Sequence, residues 1–249
     1  MNVLDALKNV RLWGISAMPT TYYMLHGGRL TVAEYWRIAP DLFSFGLCVF
    51  VKPFGGMPFN FSIPRIEKIL EVEWDDLPPV VTRQFKGPVQ GFEAAGFDYL
   101  FAYELPVLER TRLGAAAVLL SKDALTVATV NYCQDPNTRM RQINCVAVFD
   151  DDTKGVTTSM KQMMNSMPEY RTHRHPTAAN DPEELYELHQ KHLEDWADES
   201  LNPQRLDGAA VRKHILEGEQ RHVDFNIERR VYIPMQKAEI RRLRDENDD

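Results

Sequence analysis

The chain is short of the features that usually declare a function. It carries no GxSxG elbow, no glycine-rich phosphate loop and no GxGxxG turn, so the motif-bearing hydrolase and nucleotide-binding classes find no support. Gly27-Gly28 and Gly55-Gly56 are isolated pairs that turns explain. Its three cysteines, Cys48, Cys133 and Cys145, are odd in number and lack CxxC spacing, poor material for a disulfide framework. Small buried hydrophobes in a reducing compartment are the expectation. A thiolate nucleophile at Cys133 or Cys145 is disfavoured by the acids that follow, Asp135 and Asp150 to Asp152, which raise a thiol pKa. Basic runs interleaved with aromatics are missing too. The nearest candidate, Arg139-Met140-Arg141 with Lys154, faces those same acids, and the net charge is −7, so no nucleic-acid partner is expected. The most apolar run, Leu42 to Val51, is about half as long as a membrane-spanning helix requires. Asp5, Lys8, Asn9 and Arg11 break up the first 25 residues where a secretory signal would be continuous and apolar. No repeat of 20–50 residues is visible.

What is present describes a folded chain. At 249 residues, with 44% apolar and 26% charged residues, it has the length and composition to bury a core. Residues 1–62 stand apart: they hold 11 of the 25 aromatic residues and carry a net charge of +2, against −9 for the remaining 187. The division that follows is an aromatic-rich N-terminal segment (1–62), an α+β core (63–236) and a charged tail (237–249). The aromatic wealth of the first segment fits rings packed onto the main sheet, a peripheral membrane contact, or a protein interface.

Local signals divide the chain into elements. Asn2 caps a helix running to about Trp13, and the Thr31-Val-Ala-Glu34 capping box starts another that stops at Pro40. Phe43 to Val51 reads as a buried strand or a short apolar helix; periodicity does not decide. Pro88 to Ala95 forms one or two helical turns that Gly96 ends. Strands follow at Phe97–Leu105, Gly114–Leu120, Leu125–Tyr132 and Arg139–Phe149. The Asp150–Gly155 turn then leads to an edge strand over Val156–Lys161. Short connections make neighbouring strands antiparallel, a meander of four to six strands. Asp181-Pro182-Glu183-Glu184 opens a C-terminal helix, and a second begins near Asp207 and reaches about His222.

Two clusters invite a functional reading. His173 and His175 share one side of an extended segment, and His189 and His192 share one face of a helix, so four imidazoles can converge with Glu184 or Asp195. Such a set suits zinc. The HxH…HxxH spacing is far less specific than HExxH, however, and the simpler reading is a packed His192 and a solvated His173–His175 loop beside Arg174. Met160, Met163, Met164 and Met167 fall on one helical face, which serves either to pack on the sheet or to hold an apolar ligand.

Trp74-Asp-Asp-Leu-Pro78, Gly96-Phe97, the strands after them and Pro182-Glu-Glu-Leu-Tyr-Glu-Leu-His189 together resemble an uncharacterised family of bacterial proteins, often membrane-associated. That resemblance spans about residues 70–195. It implies an antiparallel sheet followed by a histidine-bearing helix, and no activity.

The expectation is therefore an α+β protein with an antiparallel meander covered by C-terminal helices. It acts as a non-enzymatic module that binds an apolar small molecule or a protein partner, without a cofactor. The alternatives are a zinc-dependent enzyme on His173, His175, His189 and His192, and a peripheral membrane protein acting through residues 1–62. The cytoplasm is the expected compartment.

Overall fold

The computed structural model describes residues 21–39, 41–56, 58–105, 113–134, 139–160 and 172–240. The proposed helix at Asn2–Trp13 lies outside them.

The α+β class holds, but the sheet is larger than a six-strand meander and is not purely antiparallel. Strands β3 (Leu70–Val72), β4 (Phe97–Glu104), β5 (Leu113–Ser121), β6 (Val127–Gln134), β7 (Arg139–Val148), β8 (Lys154–Thr158) and β9 (Thr172–Pro176) lie in that order in one seven-stranded sheet. All neighbours are antiparallel except β8 and β9, which pair in parallel from Lys154↔Thr172 to Thr158↔Pro176. The predicted edge strand is thus an interior one, and the segment expected to be a polar loop around His173 is its neighbour. Four residue types that tolerate extended backbone (Thr172, His173, Arg174, His175) are enough to pair once β8 offers an open edge. That pairing is long-range, and local periodicity carries no trace of it.

Side-chain alternation divides this sheet into two different faces. On one, Ala128, Val130, Tyr132, Ile143 and Cys145 join Phe97, Ala115, Ala117 and Leu119 in the main core. Helices α3 (Pro79–Ala94) and α4 (Pro182–Asp198) cover them with Val81, Phe85, Val89, Phe92 and Leu185. Helix α3 begins a full nine residues before the turns read from the sequence. Pro79 sits in its first turn, where a missing N–H costs nothing, and Pro88 is accommodated inside it. Gly96 does end it, with φ of 91°. Gly155 is a close-approach position: a Cβ there would run into the ring of the buried Trp196, so this glycine lets α4 settle onto β8.

The other face is covered by α5 (Gly208–Glu228), capped by Asp207, whose carboxylate accepts from Ala210 N–H at 2.7 Å. Helices therefore lie on both sides of the sheet. The first half of α5 packs Val211 and Ile215 against Phe101, Tyr103, Val118, Val127 and Val148. Its second half belongs to a smaller three-stranded sheet, in the order β10 (Tyr232–Pro234), β1 (Thr21–His26), β2 (Pro58–Arg65). There Val223 and Ile227 meet Tyr23, Leu25, Leu30 and Tyr35.

The aromatic segment is built around this small sheet. The capping box is present, with Thr31 Oγ1 accepting from Glu34 N–H and Glu34 accepting in return, and α1 runs Val32–Ile38. The Leu42–Val51 run resolves as a helix, α2, because Asp41 caps it by accepting from Ser44 N–H at 2.7 Å. The two Gly-Gly pairs touch: Gly28 N–H donates to Gly55 O at 2.7 Å. Gly56, at φ 77°, leaves no room for a Cβ against Gly27 and the Tyr35 hydroxyl. Glu34 has no exposure and forms an ion pair with Arg229 at 2.5 Å, tying α1 to the end of α5.

Candidate functional site

A cavity of about 370 Å³ lies between the second face of the large sheet and α5. Its position follows from residue size. Where β4 and β5 meet the first half of α5, Phe101, Val118 and Val211 pack together and fill the gap. Toward β7, β8 and β9, α5 presents Gly218 and the strands present shorter or polar side chains, so the layers do not close. Val127, Val146, Val148, Val156, Val211 and Ile215 supply an apolar wall. Tyr103, Thr129, Asn131, Gln142, Asn144, Lys154, Thr172, Arg174, His214, Glu219 and His222 supply most of the rest.

The polar groups at this site are incompletely satisfied. Asn144 donates to Thr129 Oγ1 at 2.9 Å, and Gln142 donates to Thr158 Oγ1 at 2.9 Å. Asn144 Oδ1, Arg174 Nε and His214 Nδ1 are buried without any hydrogen-bond partner. These are three of the six such side-chain atoms among the described residues. Native proteins pair nearly all buried polar groups, so three orphans around one hollow set this place apart from the rest of the described interior.

Electrostatics point the same way. Burial lowers the pKa of Lys154 to about 8, and the nearby charge of Arg221 adds to that effect. Its ammonium donates to His214 O at 3.1 Å. Burial also lowers the pKa of Arg174, and lowers that of His214, where the Lys154 charge adds to the effect. Glu219 is enclosed by protein and keeps only partial contact with solvent; burial raises its carboxyl pKa, partly offset by Lys154. The lining therefore has two cationic side chains against one carboxyl that resists ionisation, which favours an anionic guest.

The histidines lie on the opposite face. His173 and His175 alternate with Thr172 and Arg174 along β9 and point toward α4. The four imidazoles do gather. His175 stacks on His192 with centroids 4.1 Å apart, and Trp196 contacts all four rings at 5.4 to 6.3 Å. Thr157 Oγ1 stands 2.9 Å from both His189 Nδ1 and His192 Nδ1. A hydroxyl has one proton and two acceptor lone pairs, so at most one of these nitrogens accepts from it and at least one donates to it. His189 Nε2 is buried without a partner, and leaving an acceptor bare costs less than leaving a donor bare. On that ground the His189 proton is assigned to Nδ1, which donates to Thr157 and leaves the hydroxyl proton free to be donated to His192. Burial, with like charge on His192 and His175, lowers His189 to about 3, so it is neutral across the physiological range. Among the described residues no three His, Cys, Asp or Glu side chains are placed to hold a metal ion. Nδ1 of both helix histidines is committed to threonine, and the contact between His175 and His192 is ring face to ring face.

Of the methionines, Met160 is half-buried just beyond β8 and does not line the cavity; Met163, Met164 and Met167 lie outside the described residues. Cys145 is fully buried and burial raises its thiol pKa, in keeping with a packing role. The residues that sequence reasoning passed over are Lys154, read into a turn, and Arg174, read as solvated. His214, Glu219 and His222 fell within a helix that attracted no functional reading. The available signal was the charge of Lys154 and Arg174 at alternating positions in strands, and the His-x4-Glu-x2-His spacing along one face of α5.

Family models, curated proteins and solved structures yield no match to this chain. The resemblance drawn from short motifs thus gains no family from comparison, and function rests on the site alone.

Proposed function

We propose that the protein is a binding module for a small amphipathic acid, held in the cavity between β7–β9 and α5. The carboxylate faces Arg174 and Lys154, and the apolar body lies along Val127, Val146, Val156 and Ile215. The observation that carries this reading is the set of three unpartnered buried polar atoms around one hollow. A volume near 370 Å³ is at the lower end of the roughly 300–1,000 Å³ of small-molecule sites, so the guest is compact. A simple probe pair tests it: 3-phenylpropanoate and the uncharged 3-phenylpropan-1-ol, titrated by calorimetry. A charge-assisted hydrogen bond contributes about 1.5–3 kcal/mol, so the acid should bind about tenfold or more tightly than the alcohol. Arg174→Gln should erase most of that difference. Equal affinities, or no binding of either probe, would sink the reading.

A second reading has its own observation. Along α2 and the turn after it, Leu42, Phe43, Leu47, Phe50 and Phe54 are exposed by 73, 82, 44, 70 and 81%, with Trp36 at 57% beside them. Positions 43, 47, 50 and 54 repeat at helical spacing, so they form one apolar stripe facing outward. Such contiguous patches mark interaction surfaces. Around it, Arg29, Arg37 and Lys52 are basic, whereas Glu34 is buried against Arg229 and Asp41 is spent as a cap. We infer that an anionic membrane surface is the occupant, with the aromatic rings at headgroup depth. Co-sedimentation with phosphatidylserine-containing vesicles should retain the chain, and Phe43→Ser/Phe50→Ser should release most of it. A chain that stays in the supernatant, or one whose stripe is instead covered by self-association in sizing experiments, would overturn this. No helix among the described residues is long and apolar enough to cross a membrane, so such contact would be peripheral.

A further inference from the structure

Lys154 is unusual among the charged groups of the cavity. Buried lysines that serve structure alone are paired with a carboxylate. Among the described residues no carboxylate is within ion-pair distance of Lys154 Nζ; its hydrogen-bond acceptor is the His214 carbonyl oxygen at 3.1 Å. One acceptor leaves two of the three amine directions open, and Nζ lines the hollow rather than a packed interior. A Cβ added at Gly218 would come within 3.1 Å of Nζ, so the helix passes over this amine at a residue that crowds it least. On the same face, Arg174 is one strand over and one pleat further along, since Val156 pairs with Arg174 and Lys154 with Thr172. An amine and a guanidinium are thus set side by side, with Glu219 and His214 across from them on α5.

We propose that Lys154 is a nucleophile that captures the carbonyl carbon of a small oxo acid as an imine, while Arg174 holds the acid's carboxylate. The inference rests on the cavity being a ligand site. The balance is simple and needs no oxidant or reductant. The Nζ lone pair adds to the carbonyl carbon, the C=O π pair moves to oxygen, and that oxygen takes a proton to give a carbinolamine. The nitrogen lone pair then re-forms a double bond to carbon as the hydroxyl leaves, taking a second proton and departing as water. The nitrogen loses its own protons in the exchange, so amine plus carbonyl gives imine plus water. Glu219, whose carboxyl pKa burial raises, and His214 are the groups lining the same hollow that can pass these protons. The lowered pKa of Lys154 makes the neutral, attacking form accessible near pH 8 without any further partner.

The probe is phenylpyruvate, with 3-phenylpropanoate as the partner that has the same ring and carboxylate but no ketone. Wild-type protein is incubated with each at pH 8, reduced with borohydride and mapped by peptide mass spectrometry. Phenylpyruvate should leave a secondary amine on Lys154 at more than tenfold the occupancy of any other lysine, and 3-phenylpropanoate should leave none. Lys154→Arg, which keeps a cation for the carboxylate but cannot form an imine, should lose the adduct. Because the adduct is located in the wild-type chain, the result does not depend on that variant folding. If both acids bind but no adduct forms on Lys154, or if labelling is spread evenly over the lysines, the imine is wrong and the ligand site stands. If neither acid binds, both proposals fall.

Discussion

Arg229→Met should destabilise the protein by about 3–5 kcal/mol, the range seen when one partner of a buried ion pair is removed. The reason is on the other side of the pair. Glu34 has no exposure at all, and Arg229 is only 19% exposed on its side chain. The Glu34 carboxylate also accepts from Thr31 N–H at 2.8 Å, so it cannot move to solvent without undoing the start of α1. Left without the guanidinium, it either stays charged in an apolar surround or takes up a proton. Arg229 gives up less: it also donates to Asn226 Oδ1 at 3.1 Å and lies 5.2 Å from the Phe225 ring. Glu34→Gln should therefore cost less than Arg229→Met, because a neutral amide can keep part of the capping box. The double variant should recover part of the loss, since the unpaired carboxylate is then gone. Urea unfolding of the four proteins closes the cycle. Strict additivity would mean the pair has no coupling and that the aromatic segment is held to α5 by apolar contact alone.

How far the residues foretold this architecture depends on the range of the interaction concerned. Elements set by neighbours in sequence were readable. The Thr31–Glu34 box, the Asp181 cap, the helix start near Asp207 and the four strands from Phe97 to Phe149 were all read from local chemistry and are present. Elements set by distant partners were not. Nothing near Thr172 says that it will lie beside Lys154, and that parallel pairing turns a presumed loop into the outer strand of the sheet. The same pairing creates the site. It places Arg174 over the cavity and His175 against His192, so one strand serves both faces. The histidine convergence could be anticipated because i, i+2 and i, i+3 spacing fix which side chains share a face. The cavity could not, because its members come from β6, β7, β8, β9 and α5, and a hollow is a property of how layers fail to meet.

The two faces of this strand pair differ in how they treat charge. Toward α4, Thr157 and the packed rings exclude solvent and leave a neutral, hydrogen-bonded His189. Toward α5, Lys154, Arg174 and Glu219 are enclosed in a space that stays partly open, where a guest can complete their bonding. The first arrangement is suited to stability and the second to binding. This separation explains why the most conspicuous motif in the chain, its histidines, is not where unmet hydrogen bonds accumulate.

Acid should expose the histidine face in turn. His189 is held to about 3 against an ordinary 6.5, so between those values the folded chain binds fewer protons than the unfolded one. Stability contributed by the neutral imidazole is complete above pH 6.5 and declines as pH falls toward 3, by at most about 1.4 kcal/mol per pH unit for this one group. His192, also lowered by burial, adds in the same direction. Glu71 beside Arg212, whose pKa is lowered, loses its contribution only at more acid values, but Glu104, raised to about 7 by burial, and Glu219, also raised, gain stability as pH falls through 6.5 to 5, so the share of His189 is read as a difference from a variant that lacks its ring. Urea midpoints across that window, in the presence of EDTA, are therefore compared between the wild-type chain and His189→Gln. His189→Gln, which keeps an amide within reach of Thr157 but cannot titrate, should start lower and fall less. Wild-type and His189→Gln curves that run parallel from pH 6.5 to 5 would mean that His189 charges freely in the folded state, and that its hydrogen bond to Thr157 does not hold it neutral. Repeating the series with added zinc separates the remaining alternative, because only a metal-bound cluster would gain stability from zinc at pH 6.5 and lose that gain by pH 5.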